Sequence, residues 1–285
     1  MSAAEHTEIA TRTLVESLIR RDGSVDCGEL YELAPLFAMT DQQVRLCVKR
    51  LVGEGHFVQE GRGRKAVLRA TRQTRAVIGP DRDFLRYMYA QDRGDIAWDG
   101  RWRLIGFAVP ESDRRTRDVL REAVLRLGGA AIQGGLYVCA NPWERRIRSA
   151  VAASDAARYV TTCTTTDLVV GGIEEPRALA AHLWPLARIA EGHRRLLAAA
   201  ERFRAELPEA SRIQRTRITV ALAAEFSRAV DPDPLLPPEL LPRPWVGAAA
   251  RAATAACWAE LAARDPDRST DLFRWYAEAI PAPPG

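Results

Sequence analysis

Residues 40–69 read TDQQVRLCVKRLVGEGHFVQEGRGRKAVLR, and the order of signals in this stretch decides the fold of the N-terminal part. Thr40 and Gln43 have the spacing of a capping box, and Met39 and Val44 occupy the two positions of a hydrophobic staple. The helix they predict, about 41–52, gathers Val44, Cys47, Val48 and Leu51 on one face. Gln42, Arg45, Leu46 and Lys49 share the opposite face, with Gln43 and Arg50 on its flank. Those are the side-chain types that read base edges and phosphates. Gly53 and Gly55 end the helix. Residues 56–60 and 65–69 then read as two strands joined by Gly61-Arg62-Gly63-Arg64, with Lys65 at the start of the second.

Upstream, Ile9, Leu14, Val15, Leu18 and Ile19 recur at helical spacing until Arg21-Asp22-Gly23. Asp26 and Glu29 have capping-box spacing for a second helix through Leu30 and Leu33, which Pro35 ends. Three helices followed by a basic hairpin make a winged helix-turn-helix. Its third helix suits a major groove, and Arg62, Arg64 and Lys65 at the hairpin tip suit phosphates or a minor groove. A plain hairpin turn, or a winged helix used only for protein contacts, stays open at this point. The Gly-Arg-Gly-Arg stretch lacks the G-K-[ST] of a phosphate-cradling loop.

Charge supports the first reading. Residues 40–75 hold nine basic and three acidic side chains, whereas residues 1–39 hold three basic and seven acidic ones. Arginine content alone carries little weight, because 39 of the 41 basic residues are arginine throughout an alanine-rich chain. The five cysteines are scattered and never form C-x-x-C, which suits reduced structural thiols in a cytoplasmic protein. No run of about 18 apolar residues suggests a membrane span, and no basic-then-apolar leader opens the chain.

Downstream of a polar connector at 72–95, which can turn helical after Pro80, the pattern alternates. A strand at 102–109, a helix at 113–127, strands at 130–133 and 136–140, a helix capped by Asn141 with Pro142 and Glu144 in its first turn, and strands at 159–165 and 168–170 follow in order. That is a ferredoxin-like split βαβ succession. Its edge strands, the short apolar 168–170 among them, need covering, which suits dimerisation. Beyond Glu174 the chain reads as helical, at 177–204 with an interruption near Pro185, at 213–230, at 245–263 and at 269–279. Six prolines between Pro232 and Pro244 form a rigid crossover before the last two helices. The fold class is α+β, with domains at 1–95, 96–175 and 176–285.

Two further stretches are dense in Trp and Pro at fixed offsets: AWDGRWRLIGFAVPE at 97–111 and DPLLPPELLPRPWVGAAAR at 233–251. With Val44-Arg45, Leu51, the Gly-Arg hairpin and Gly134-Gly135-Leu136-Tyr137-Val138, they resemble the PaaX family, bacterial repressors of aromatic-acid degradation genes. The resemblance covers most of the chain. It implies a winged helix, a Cas2-like central domain that forms a homodimer, and a helical C-terminal region. It also implies repression at an operator in double-stranded DNA, relieved by phenylacetyl-CoA or a related acyl-CoA. No residue motif marks a thioester site. Arg101, Trp102, Arg103, Arg114 and Arg115, around the first central strand, are the candidates for the effector, because CoA phosphates favour nearby cations. The Trp-Asp-Gly-Arg-Trp block and the proline-rich crossover are the candidate pocket walls.

No catalytic constellation, cofactor motif or metal-ligand spacing is visible. His6, His56, His182 and His193 are isolated, and no G-x-S-x-G elbow occurs. Cas2-like folds include metal-dependent nucleases that use an aspartate near the end of the first strand. Here that position falls on Ala108, whose methyl group cannot ligate Mg²⁺, and the nearby Glu111 and Asp113 open a helix. The expectation is a DNA-binding transcriptional regulator without enzymatic activity. The alternatives are an architectural or protein-binding Cas2-like dimer and a metal-dependent nuclease.

Overall fold

A computed structural model describes residues 9–77, 82–153 and 156–264. They fall into two compact units, one of Met1–Tyr89, Arg195–Ser227 and Ala250–Gly285 and one of Ala90–Arg194 and Arg228–Ala249. Among the described residues no helix is long and apolar enough to cross a membrane. The helix expected at 269–279 lies outside the described residues.

In the first unit α1 (Thr11–Ser17) is followed by a turn through Gly23, at φ +83°, into β1 (Ser24–Asp26). Nothing in the sequence signals β1, since three residues are too few to show alternation. Asp26 caps α2 (Cys27–Leu33) by accepting from the Glu29 N–H at 3.1 Å, while the Glu29 carboxylate accepts from Arg20 at 2.9 Å. Pro35 lies in a 3₁₀ turn, Ala34–Phe37, that separates α2 from α3 (Asp41–Gly53). β2 (Phe57–Glu60) and β3 (Val67–Ala70) form the hairpin, one to two residues displaced from the sequence reading, because Gly63–Lys65 winds into a 3₁₀ turn. β1 pairs on the other side of β3, giving the order β1-β3-β2. Leu14, Val15, Val25, Leu30, Leu33, Val44, Leu51 and Leu68 are all fully buried, so truncating any one of the leucines costs about 2–5 kcal/mol. The polar connector holds two helices, α4 (Arg72–Val77) and α5 (Arg82–Asp92).

The second unit contains the expected succession: β4 (Trp102–Phe107), α6 (Arg114–Arg126), β5 (Ala130–Gln133), β6 (Leu136–Cys139), α7 (Glu144–Ala153) and β7 (Val160–Thr165). Every pairing is antiparallel, in the order β5-β6-β4-β7, so each βαβ crossover skips over one strand. Ile105 and Phe107 line one face with Leu120, Val124 and Ile147 from α6 and α7, around a cavity no larger than a water molecule. Trp102, Val138 and Ala140 line the other, with Leu179, Ala180, Trp184 and the crossover leucines 236, 240 and 241. Leu179 and Ala180 belong to α8 (Pro176–Leu183).

Two sequence expectations are corrected here. Residues 168–170 form no strand; Val170 alone makes a bridge, to Ile173 across the tight Gly171-Gly172 turn. α7 begins at Glu144 rather than at Pro142, and the Asn141 amide donates to the carbonyls of Leu235 at 2.8 Å and Pro234 at 3.1 Å.

Pro185 separates α8 from α9 (Leu186–Glu206), and α10 (Arg212–Val230) and α11 (Val246–Arg264) follow. The crossover between the last two is tied down within the second unit. Asp233 bonds the His193 ring at 2.7 Å and accepts from the Leu235 N–H at 2.9 Å. The Glu239 carboxylate accepts from the Trp98 N–H at 3.1 Å. Gly128, at φ +82° after α6, must be glycine, since a Cβ there would stand 2.4 Å from the Pro234 carbonyl oxygen. The two Trp- and Pro-dense blocks therefore meet in one packed layer.

Candidate nucleic-acid interface

α3 starts on a complete capping box. The Gln43 N–H donates to Thr40 Oγ1 at 3.2 Å, and Gln43 Oε1 accepts from the Thr40 N–H at 2.8 Å. Met39 and Val44 are both buried, as a staple requires. The inward face is the predicted one, with Val44, Cys47, Val48 and Leu51 buried. Gln42, Gln43, Arg45, Leu46, Lys49 and Arg50 are all exposed. Within that set the roles differ. Gln43 commits its amide oxygen to the cap, leaving only its NH₂ group outward. Arg50 lies 3.9 Å from Glu54, a loose pair. Among the described residues Arg45 and Lys49 have no ion-pair partner, and Leu46, between them and Gln42, is 59% exposed. An apolar side chain left in water amid cations costs solvation that a thymine methyl contact would recover.

The hairpin tip adds to this surface. Arg62, Arg64 and Lys65 are all exposed, and among the described residues Arg62 and Lys65 have no ion-pair partner. Arg64 is anchored: it donates to Asp41 at 3.1 Å and lies over the Tyr31 ring at 5.5 Å. The tip is thus fastened to the N-terminus of α3, where the acidic Asp41 also suits the helix dipole. Arg69 pairs with Glu60 at 2.8 Å and stiffens the strands. Asp41 and Tyr31 go unnoticed in the sequence: an acid at a helix start has a sufficient local reason, and a lone Tyr carries no spacing signal.

The effector candidates separate into two groups. Trp102 is 1% exposed, edge-on to Trp98 at 5.2 Å and stacked on Trp184 at 6.4 Å. Arg103, 7% exposed, has every nitrogen engaged. Nε donates to Glu144 at 2.9 Å, Nη2 to Asp99 at 2.5 Å, and Nη1 to Asp99 at 2.9 Å and to the Arg101 and Ala140 carbonyls. Hydrogen bonds from Arg103 hold the Asp99 carboxyl below its ordinary range. Burial pushes Glu144 upward, but its bond to Arg103, a hydrogen bond from its own backbone N–H and the Arg103 charge together outweigh burial and leave it lowered. Arg101, Arg114 and Arg115 are exposed, with Arg114 3.8 Å from Asp118. Among the described residues no carboxylate pairs with Arg101 or Arg115.

Ala108 lies just past β4, and the carboxylates after it are occupied. Glu111 pairs with Arg117 at 2.8 Å, and Asp113 accepts from Thr116 at 2.7 Å. Among the described residues no group of three or more His, Cys, Asp and Glu side chains could hold a metal ion. Burial pushes the Cys139 and Cys257 thiols up to about 12, which suits inert packing.

The chain matches two family models: the PaaX protein central Cas2-like domain over residues 95–180 and the PaaX-like protein C-terminal domain over residues 184–267. No curated protein matches it. Among solved structures it is similar to the uncharacterized protein Rv0674 from Mycobacterium tuberculosis. The two are 26% identical over 82% of this chain and 89% of that one, at a TM-score of 0.47.

Proposed function

Because this chain belongs to the PaaX family, we propose that it is a DNA-binding transcriptional regulator and represses an aromatic-acid catabolic operon of the phenylacetate type. In this reading residues 1–95 contain a winged helix-turn-helix, residues 96–175 dimerise, and residues 176–285 complete a helical C-terminal domain. The observation that carries it is the exposed face of α3 continued by the hairpin tip. Arg45, Lys49, Arg62 and Lys65 stand there without carboxylate partners among the described residues, whereas Arg64 and Arg69 beside them are paired. Unpaired surface cations are what a polyanion recruits, since each phosphate they meet releases condensed counterions. Gln42, Arg45 and Leu46 are the base-reading candidates, and Arg62, Arg64 and Lys65 the phosphate or minor-groove contacts.

The effector is an aryl-CoA thioester. Arg101 and Arg115 offer the cations for its phosphates, while Arg103 positions the Trp-Asp-Gly-Arg-Trp block from within. A gel shift on the intergenic DNA beside its own gene, with and without phenylacetyl-CoA, tests both parts. The reading predicts a retarded complex that phenylacetyl-CoA, but neither free phenylacetate nor CoA, disperses. No complex at low salt removes the regulator reading. A complex indifferent to all three compounds removes the effector.

A further inference from the structure

We propose that two copies of this chain pair edge to edge through β7, about a two-fold axis at Cys163. This rests on the homodimer reading above and specifies its surface.

β7 is one edge of the four-stranded sheet. The Phe107 N–H donates toward β6, to Gly135, and the Ala108 N–H toward β7, to Tyr159. Antiparallel alternation then turns the main-chain groups of Gly106, Leu104 and Trp102 toward β7, and those of their partners Thr161, Cys163 and Thr165 toward β4. The N–H and C=O groups of Thr162 and Thr164 therefore point away from the sheet. Folded proteins protect such an edge with charge, proline, a bulge or a covering element. β5, the opposite edge, has a register shift between Ala131 and Gln133, and α8 packs against it. Among the described residues β7 has neither protection. It contains no charged residue or proline, its register with β4 is unbroken, and Thr161, Thr162, Cys163 and Thr164 are exposed, so both of its faces are open.

The occupant follows from the sequence of the strand. Residues 161–165, TTCTT, read identically in both directions, so an antiparallel two-fold pairing about Cys163 sets each residue against its own kind. With the axis at Cys163, Thr162 of each copy faces Thr164 of the other, and each such pair exchanges two main-chain hydrogen bonds. Thr161 faces Thr165, so all four flanking pairs are Thr–Thr, a favourable cross-strand combination of strong strand formers. No like charges meet. The two Cys163 residues form the central non-hydrogen-bonded pair, with Cα atoms about 4.5 Å apart, inside the ~4.4–6.8 Å span of a disulfide.

Cys163 is the exposed cysteine of the five; the other four are buried. It is therefore a built-in reporter. Diamide treatment of the full chain should rapidly convert it to a covalent dimer on non-reducing gels, as two Cys163 thiols surrender two protons and two electrons to diamide, which becomes the hydrazine. Cys163→Ser should abolish that band while remaining dimeric by sedimentation. Thr162→Lys with Thr164→Lys sets like charges opposite each other and should weaken the dimer by about tenfold or more, with the circular dichroism spectrum unchanged. A sedimentation dimer that diamide does not cross-link, or that the double lysine variant leaves intact, overturns the β7 edge and leaves the dimer reading standing. A chain that is monomeric at every concentration removes the dimer reading itself.

Discussion

Arg103 stands one residue from Trp102 on β4 and does a different kind of work. Trp102 contributes area; Arg103 contributes direction, with its guanidinium fixed between Asp99 in the loop before β4 and Glu144 at the start of α7. Removing one member of a buried ion pair typically costs about 3–5 kcal/mol. Asp99 and Glu144 are close to half exposed and keep some hydration, so Arg103→Met should cost less, about 2–3 kcal/mol, read from urea unfolding at neutral pH. The pH dependence has a definite sign. Both carboxyls are lowered in the folded chain, so their stabilisation is present above the unfolded carboxylate range near ~4 and is lost as pH falls through the lower folded values. The stability difference between wild type and Arg103→Met should narrow in acid. A difference that widened there, or an Arg103→Met chain as stable as wild type, would mean that these carboxylates are not held by Arg103.

At the scale of elements, the proposed function has α3 and the hairpin divide the labour of meeting DNA. The hairpin tip should account for salt dependence rather than sequence preference. Replacing Arg62 and Lys65 with Ala should flatten the slope of log affinity against log salt by about 0.9 for each phosphate no longer neutralised; an unchanged slope takes the hairpin off the DNA. Arg64→Ala should also loosen the tip from Asp41, and its effect should exceed that of one phosphate contact. These elements also show what the sequence can carry. The buried face of α3 is legible because helical period and capping are local, and Thr40 lies three residues from Gln43. Within the βαββαβ succession, β5 and β6 are legible because Gly128-Gly129 and Gly134-Gly135 punctuate them. β1 is too short for a pattern. Arg64 on Asp41 and Arg103 on Glu144 join residues 23 and 41 positions apart, which spacing rules do not reach. The meeting of the two Trp- and Pro-dense blocks belongs to the same kind of contact: each is conspicuous alone, and only the fold brings Trp98 to Glu239.

For the whole molecule, regulation is a coupling free energy. An effector that disperses the DNA complex must bind the free protein more tightly than the bound one, and operator DNA must weaken the effector by the same factor. Titrating phenylacetyl-CoA by calorimetry with and without saturating operator should give that reciprocal factor, at roughly 5–150-fold. Equal affinities in the two titrations would mean that the thioester is not the inducer. The central claim, that this chain reads DNA through α3, is tested most directly by fluorescence anisotropy on its own intergenic duplex and on an unrelated duplex of equal length. Wild type should prefer its own duplex, and Arg45→Ala should lose roughly 1–3 kcal/mol of that preference with thermal stability unchanged. Equal binding of both duplexes by wild type, or an Arg45→Ala, Lys49→Ala double variant that binds like wild type, would contradict it.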